Sequence, residues 1–218
     1  MTKSNLAQPS NHGVRGLPDS TRQFYETQAA AYAQSTLNAQ MTAVYDRFLA
    51  RVPAGARILD AGCGSGRDLA AFKARGYLPT GIDASAALVQ LAAQHSNAPC
   101  WQMDLTQLAF QGCFEAVWAC ASLLHLPRHK LLPVLKRLHA ALTQGGTLYV
   151  SLKAGVGAVT GADGRYFVLY GRDELVQTLQ GAGFAVCEVW DSSSVLPGQA
   201  AAWLNVIARQ QQSPRPDG

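Results

Sequence analysis

The sequence predicts an α/β protein, a mostly parallel sheet covered on both faces by helices. From Arg57 onward, short apolar runs that read as strands alternate with helical patterns. The intervals between those runs are long enough for a crossover helix, which parallel pairing requires. The last two runs, Phe184–Trp190 and Ala201–Ala208, are separated only by the loop Asp191–Ala200, so they should pair antiparallel.

The elements follow in order. Residues 1 to about 20 are polar and rich in Pro, Gly, Ser and Asn, and read as a flexible tail. Thr21 to Arg51 carries a helical pattern, one or two helices with a break near Ser35–Asn38. Arg57–Ala61 is a short apolar strand, and a glycine turn leads from it into a helix over Arg67–Arg75. Leu78–Ile82 is a strand and Ala86–Gln94 a helix; Pro99–Met103 and Phe114–Ala119 are strands. Lys130–Leu142 is a helix closed by the glycines of TQGG, and Thr147–Leu152 is the next strand. Arg172–Gln180 is a helix ended by Gly181, before the two final strands. The expected organisation is one domain over residues 21–209, its N-terminal helices forming a cap, with a disordered tail over 210–218.

Composition narrows the class. A length of 218 residues suits one well-buried domain, and 48% hydrophobic with 15% charged residues is ordinary for a soluble globular protein. The formal charge of +4 is not gathered into basic runs, so no nucleic-acid partner is expected. No stretch has the apolar length of a membrane span, and MTKSNLAQPSNHG lacks the apolar core of a signal peptide. Cys63, Cys100, Cys113, Cys120 and Cys187 are scattered without a CxxC pair. They read as reduced residues of a cytoplasmic protein, with no metal site.

The chemistry is concentrated in ILDAGCGSGRDLAAF, Ile58–Phe72. A dinucleotide fingerprint beginning at Gly62 needs glycine at position 67, where this chain has Arg67; its third glycine is Gly66, giving GxGxG. Asp60 stands at the carboxyl end of the strand beside this turn. A carboxylate there repels a pyrophosphate and attracts an ammonium group. S-adenosylmethionine (SAM) has an ammonium and a sulfonium, and no phosphate. GIDAS places Asp83 at the end of the next strand, where an acid accepts hydrogen bonds from ribose hydroxyls. QMDL places Asp104 at the third edge, suited to the exocyclic amine of adenine, with Met103 and Leu105 flanking the base. Asp83 and Asp104 could also serve as helix caps or turn residues.

On ILDAGCGSG, GIDAS, QMDL, FEAVWACASLLHLP and ALTQGGTLYVS, the chain resembles the class I SAM-dependent methyltransferases from about Thr21 to Arg209. That resemblance implies a Rossmann-like three-layer sandwich whose seven-stranded sheet has the order 3-2-1-4-5-7-6, with strand 7 antiparallel. SLKAGVG, GRYFVLY and WLNVIAR are more narrowly similar to bacterial small-molecule methyltransferases labelled tellurite-resistance-related.

The resemblance also implies roles for individual residues. Gly62 and Gly64, with Cys63 between them, let backbone approach the methionine part of SAM. Asp60 holds the ammonium through water, and Arg67 caps the loop or meets the carboxylate. Asp83 and Ala84 take the ribose, Met103, Asp104 and Leu105 the adenine, and Ala119 and Cys120 the sulfonium region. Tyr25 and Tyr32, at i and i+7 of one helix, close over the cofactor or pack on the sheet. His125 in ASLLHLP is the candidate general base, or a packed, hydrogen-bonded histidine. Lys153, Arg165, Tyr166 and Tyr170 follow the fifth strand, where similar enzymes face their substrates; they could equally be ordinary loop residues. With no NPPY-like run and no Pro-Cys pair at the fourth strand, adenine, glutamine-amide and cytosine C5 acceptors are disfavoured. A small-molecule acceptor at oxygen, nitrogen, sulfur or a metalloid remains. The rival readings are a non-catalytic SAM-binding module and, against Arg67 and Asp60, an NAD-dependent oxidoreductase.

Overall fold

The computed structural model describes residues 17–196 and 201–211. Of the tails expected over 1–20 and 210–218, residues 1–16 and 212–218 lie outside the described residues, as do residues 197–200 of the loop before Ala201. Asp19 and Ser20 already belong to the first helix and Gln210 to the last strand. Three helices come first: α1 (Asp19–Thr27), α2 (Ala29–Thr36) and α3 (Thr42–Leu49). Alternation then begins with β1 (Arg57–Ala61), α4 (Arg67–Ala74), β2 (Leu78–Asp83), α5 (Ala86–Ser96) and β3 (Cys100–Gln102). It continues with β4 (Phe114–Cys120), α6 (Arg128–Ala141), β5 (Leu142–Lys153), the short β6 (Ala158–Thr160) and β7 (Tyr166–Val168), α7 (Arg172–Gly181), β8 (Phe184–Ser193) and β9 (Ala202–Gln210).

The main sheet has seven strands in the order β3-β2-β1-β4-β5-β9-β8. Counting only its own strands, this is the expected 3-2-1-4-5-7-6, and β9 runs antiparallel to both neighbours. Strand alternation divides the core into two layers. Leu59, Ala61, Val117 and Ala119 face α6 and α7 through Leu131, Val134, Leu135, Leu138, Leu175 and Leu179. Ile58, Ala116, Trp118 and Tyr149 face α3 and α4 through Tyr45, Phe48 and Phe72. Chain order reverses direction between β1 and β4, which opens a crevice at their carboxyl ends.

Several boundaries differ from the sequence expectation, each for a local reason. The first helical stretch is interrupted at Gln28 (φ −112°, ψ 16°) as well as after Thr36, so Tyr25 and Tyr32 sit on different helices. The TQGG glycines do not close α6. They lie inside β5, which starts at Leu142, and the register against β4 shifts between Phe114 and Ala116, so they form an irregular strand entrance. The β6–β7 pair went unread because β6 is fully exposed and shows no apolar alternation. β8 continues to Ser193, shortening the loop expected from Asp191.

The N-terminal helices are fastened across the crevice. The Glu26 carboxylate accepts the Ala86 and Ala87 N–H groups at the start of α5, donors that no helical carbonyl can reach. Thr21 Oγ1 accepts the Tyr166 N–H at 2.8 Å, and the Ser85 hydroxyl donates to the Tyr25 carbonyl at 3.2 Å.

Candidate active site

The turn after β1 is folded back on β2, with the N–H groups of Gly62 and Cys63 both donating to the Ile82 carbonyl. Its glycines do different jobs. Gly62 has φ +93°, and a Cβ there would stand 2.3 Å from the Ser122 Cβ. Gly66, at φ +81°, would drive one to 2.7 Å from the α5 backbone at Ala92. Gly64 (φ +52°) faces the Tyr32 ring. Two of the glycines thus allow close packing around the turn, whereas a Cβ at Gly64 would make only ordinary contact with Tyr32 in the α2 roof.

Two cavities meet over this turn, both bounded by Tyr25, Tyr32, Gly62, Gly64, Cys120, Ala121 and His125. The smaller, about 620 Å³, extends towards β2 and β3 and is lined by Asp83, Ala84, Met103, Asp104 and Leu105. The larger, about 1150 Å³, extends towards β5 and β9, where Cys63, Arg67, Asp68, Lys153, Arg165, Phe167 and Trp203 line it. One end is acidic and the other basic.

Asp83 ties the acidic end to the glycine turn. Its Oδ2 accepts the Gly64 N–H at 3.0 Å and its Oδ1 the Ser85 N–H at 2.9 Å. Burial raises its carboxyl above the ordinary value, partly offset by these backbone donors. Asp104 caps a short 3-10 turn through Oδ1, which accepts the Thr106 N–H, while its buried Oδ2 has no hydrogen-bond partner among the described residues. The same holds for Asp60 Oδ2 and Ser122 Oγ. Asp60 is 2% exposed and lines neither cavity; burial and the nearby Asp68 push its carboxyl well up. Buried acceptors left open in this way are suited to the donors of a bound ligand or an ordered water.

At the basic end, Arg67 is held by a residue that sequence reasoning missed. Asp68 accepts Arg67 Nε at 2.6 Å and Nη2 at 2.9 Å, and also the Tyr45 hydroxyl and the Trp118 indole N–H. Burial alone would raise the Asp68 carboxyl, but the guanidinium and these donors outweigh it and hold it below the ordinary value. The Arg67 Nη1 reaches the Thr36 carbonyl, and the Thr36 hydroxyl donates to Ser65 Oγ, so α2 is bound to the turn.

His125 is buried with both ring nitrogens engaged. Nδ1 lies 2.7 Å from the Tyr166 carbonyl, which can only accept, so Nδ1 carries the proton. Nε2, 2.8 Å from the Tyr25 hydroxyl, then accepts from it. Burial lowers the imidazole pKa to about 4, against the Tyr166 carbonyl contact that raises it. Arg165 Nη1 donates to the same Tyr25 oxygen at 3.4 Å. Tyr25 and Tyr32, although on separate helices, meet edge-on with ring centroids 5.0 Å apart.

The structure therefore brings most of the expected residues to the two cavities, and leaves four outside. Asp60 lies beneath the turn. Ala119 faces the opposite core layer, because alternation along β4 turns Cys120 to the cavity instead. Tyr166 contributes its backbone carbonyl to His125 and does not line either cavity. Tyr170 borders a separate shallow hollow, under the Arg128 guanidinium. Besides Asp68, sequence reading passed over Ala121, a non-glycine residue at φ +52° that borders both cavities. Backbone strain of this kind collects at functional sites and leaves no mark in the sequence.

Residues 58–146 match a family model described as a methyltransferase domain. The chain is 35% identical over 126 residues to a ubiquinone biosynthesis O-methyltransferase of Xanthomonas campestris pv. campestris (strain B100), covering 54% of this chain and 52% of that protein. It is 38% identical over 111 residues to a trans-aconitate 2-methyltransferase of Paracidovorax citrulli (strain AAC00-1), covering 48% of this chain and 42% of that protein. The chain thus spans about half the length of the curated relatives it matches. Its fold matches the crystal structure of the Burkholderia thailandensis 1,6-didemethyltoxoflavin-N1-methyltransferase, solved with 1,6-didemethyltoxoflavin and S-adenosylhomocysteine (SAH). That match has a TM-score of 0.71 and 22% identity, and covers 87% of this chain and 85% of that one.

Proposed function

We propose that the chain is a class I SAM-dependent methyltransferase that transfers the methyl group of SAM to a small-molecule acceptor at oxygen, nitrogen, sulfur or a metalloid. The methyltransferase-domain match and the fold support this reading. The observation that carries this is the junction of an acidic and a basic cavity over the Gly62–Gly64 turn, at the sheet's switch point. SAM has matching ends, a nucleoside and an amino acid, joined at the sulfonium. When bound, it supplies an already activated methyl group, so the chain's own work is to bind, align and exclude water.

In this reading Asp83 accepts the ribose hydroxyls and the open Asp104 Oδ2 accepts the adenine amine, with Met103 and Leu105 against the base and Ala84 beside the ribose. Arg67, fixed by Asp68, meets the methionine carboxylate, and the open Asp60 Oδ2 takes the ammonium through water. Cys120 and Ala121 border the sulfonium region, and Tyr25 and Tyr32 close the roof. His125 is a positioning group: with Nε2 occupied by the Tyr25 hydroxyl, it fixes that phenol and offers no free nitrogen to an acceptor.

Calorimetry tests the reading. SAH should bind and NAD should not, and Asp83→Ala should weaken SAH by about 2–3 kcal/mol. That is the upper part of the range for charge-assisted hydrogen bonds, because the Gly64 N–H also loses its acceptor. Tighter binding of NAD than of SAH refutes the assignment. Conversion of SAM to SAH across a panel of small acceptors then identifies the reaction.

A further inference from the structure

Among the described residues, three cations line the larger cavity, and two of them are already matched. Arg67 is paired with Asp68. Arg165 is paired with Asp163, through Nε at 2.8 Å and Nη2 at 2.7 Å. Lys153 has no carboxylate partner among the described residues. Its ammonium sits over the Phe167 ring, 3.7 Å from the centroid, in a cation–π contact.

The backbone holds Lys153 in this place. It is the last residue of β5, in register with Trp203 of β9, and its carbonyl accepts the Tyr170 N–H at 3.0 Å. Phe167 is shared: the Arg165 guanidinium lies 5.3 Å from its centroid and the His125 ring 4.9 Å. The wall is therefore aromatic, with one unmatched and one matched cation set against it, and Trp203 borders the same space. Partial burial and the neighbouring Arg165 pull the Lys153 pKa below its ordinary value, and Asp163, bound to Arg165, only partly offsets them. A half-buried ammonium beside a second cation is stabilised when an anion joins it.

We propose that the methyl acceptor is a small carboxylic acid with an unsaturated or aromatic body, anchored by its carboxylate on Lys153 with Arg165 beside it. The proposal rests on the methyltransferase reading and adds the acceptor's class. It gives Lys153 to the acceptor and Arg67 to the cofactor. A flat, conjugated body fits against Phe167 and Trp203 while its carboxylate completes the charge at Lys153. Neutral acceptors of the same shape leave the ammonium unmatched, so the site should reject them.

The test uses the full chain saturated with SAH and measures binding by calorimetry. The probes are benzoate, 3,4-dihydroxybenzoate and trans-cinnamate, each paired with its primary amide. At least one acid should bind about ten-fold or more tightly than its amide, the scale of a charge-assisted contact. Lys153→Met should abolish that preference while changing SAH affinity by less than about two-fold, and Lys153→Arg should retain it. The proposal is overturned if no acid is preferred over its amide, or if Lys153→Met keeps the preference. It is also overturned if Lys153→Met weakens SAH as much as the acid, which would assign Lys153 to the cofactor carboxylate. Wild-type chain that does not bind SAH overturns the methyltransferase reading, and this proposal with it.

Discussion

Asp68→Asn removes one charge from beneath the basic cavity and nearly preserves its shape. The carboxylate is 6% exposed and accepts from Arg67, Tyr45 and Trp118. Tyr45 and Trp118 donate to different oxygens of the carboxylate, so the amide oxygen of asparagine can serve only one of them, and its NH2 group confronts the other donor and a guanidinium nitrogen. Removing one partner of a buried pair costs roughly 3–5 kcal/mol. The Arg67 side chain keeps 18% exposure, so the lower end, about 3 kcal/mol, is expected. At this chain length that corresponds to a fall in Tm of roughly 6–12 °C. Urea unfolding at pH 7, followed by circular dichroism, measures the loss. A cycle with Arg67→Met isolates the pair, and its coupling should reach about 2 kcal/mol. The sign in acid also follows. The folded carboxyl lies below its unfolded value, so its contribution is full above the unfolded value and fades as pH falls through the folded one. The gap between variant and wild type should therefore narrow only below about pH 4. A loss under about 1 kcal/mol at pH 7, or additive single variants, would refute the reasoning.

Other outcomes follow from the same geometry. Gly62→Ala should destabilise by about 2 kcal/mol or more, measured by urea unfolding, because its Cβ would meet Ser122 and its φ is positive. His125→Gln should lower acceptor turnover by less than about ten-fold, whereas loss of a true base costs about 10²–10⁴-fold. Relative to His125→Gln, wild type should lose about 3 kcal/mol of stability as pH falls from about 6.5 to about 4, because the unfolded chain protonates His125 first. A difference between the two that does not change with pH would contradict the burial argument. Glu26→Ala should cost about 1 kcal/mol in SAH affinity, since α1 would lose its grip on the start of α5; calorimetry reads this directly.

The order of the sheet was legible because it rests on signals that tertiary context rarely overrides. Apolar runs such as Arg57–Ala61 and Leu78–Ile82 have one place to go when both faces are covered, and a loop too short for a helix forces β8 and β9 antiparallel. What escaped reading depends on contacts that are distant in sequence. The glycines of TQGG look like a helix stop until β4 draws Leu142 into register with Phe114. Gln28 carries no breaking signal of its own, yet the helix ends there and a new one starts, with Glu26 bound to α5 and Thr36 to Ser65 on either side. β6 has no buried face to give it a period.

The site divides along the same physical line. The places of Asp83 and Asp104 were legible because they are set locally: each stands at or just after a strand end and accepts an N–H two residues on, whereas the Gly64 N–H finds its acceptor in Asp83, nineteen residues along the chain. Arg67 could be read as a residue of the turn, but its orientation could not. It is set by Asp68, whose other partners, Tyr45 and Trp118, come from α3 and β4. An Arg-Asp pair at the first turn of a helix looks like surface charge, and only burial makes it a fixed support. His125 illustrates the converse. Its place after β4 marked it as a candidate base or as a packed, hydrogen-bonded histidine, the first because a histidine at a sheet edge has a suitable proton affinity when solvated. The folded chain commits Nδ1 to Tyr166 and Nε2 to Tyr25, contributed by segments far along the chain in opposite directions. Proton affinity is a property of the environment, and here that environment is built by α1 and β7. The residue type was visible in the sequence, while the role depends on the roof.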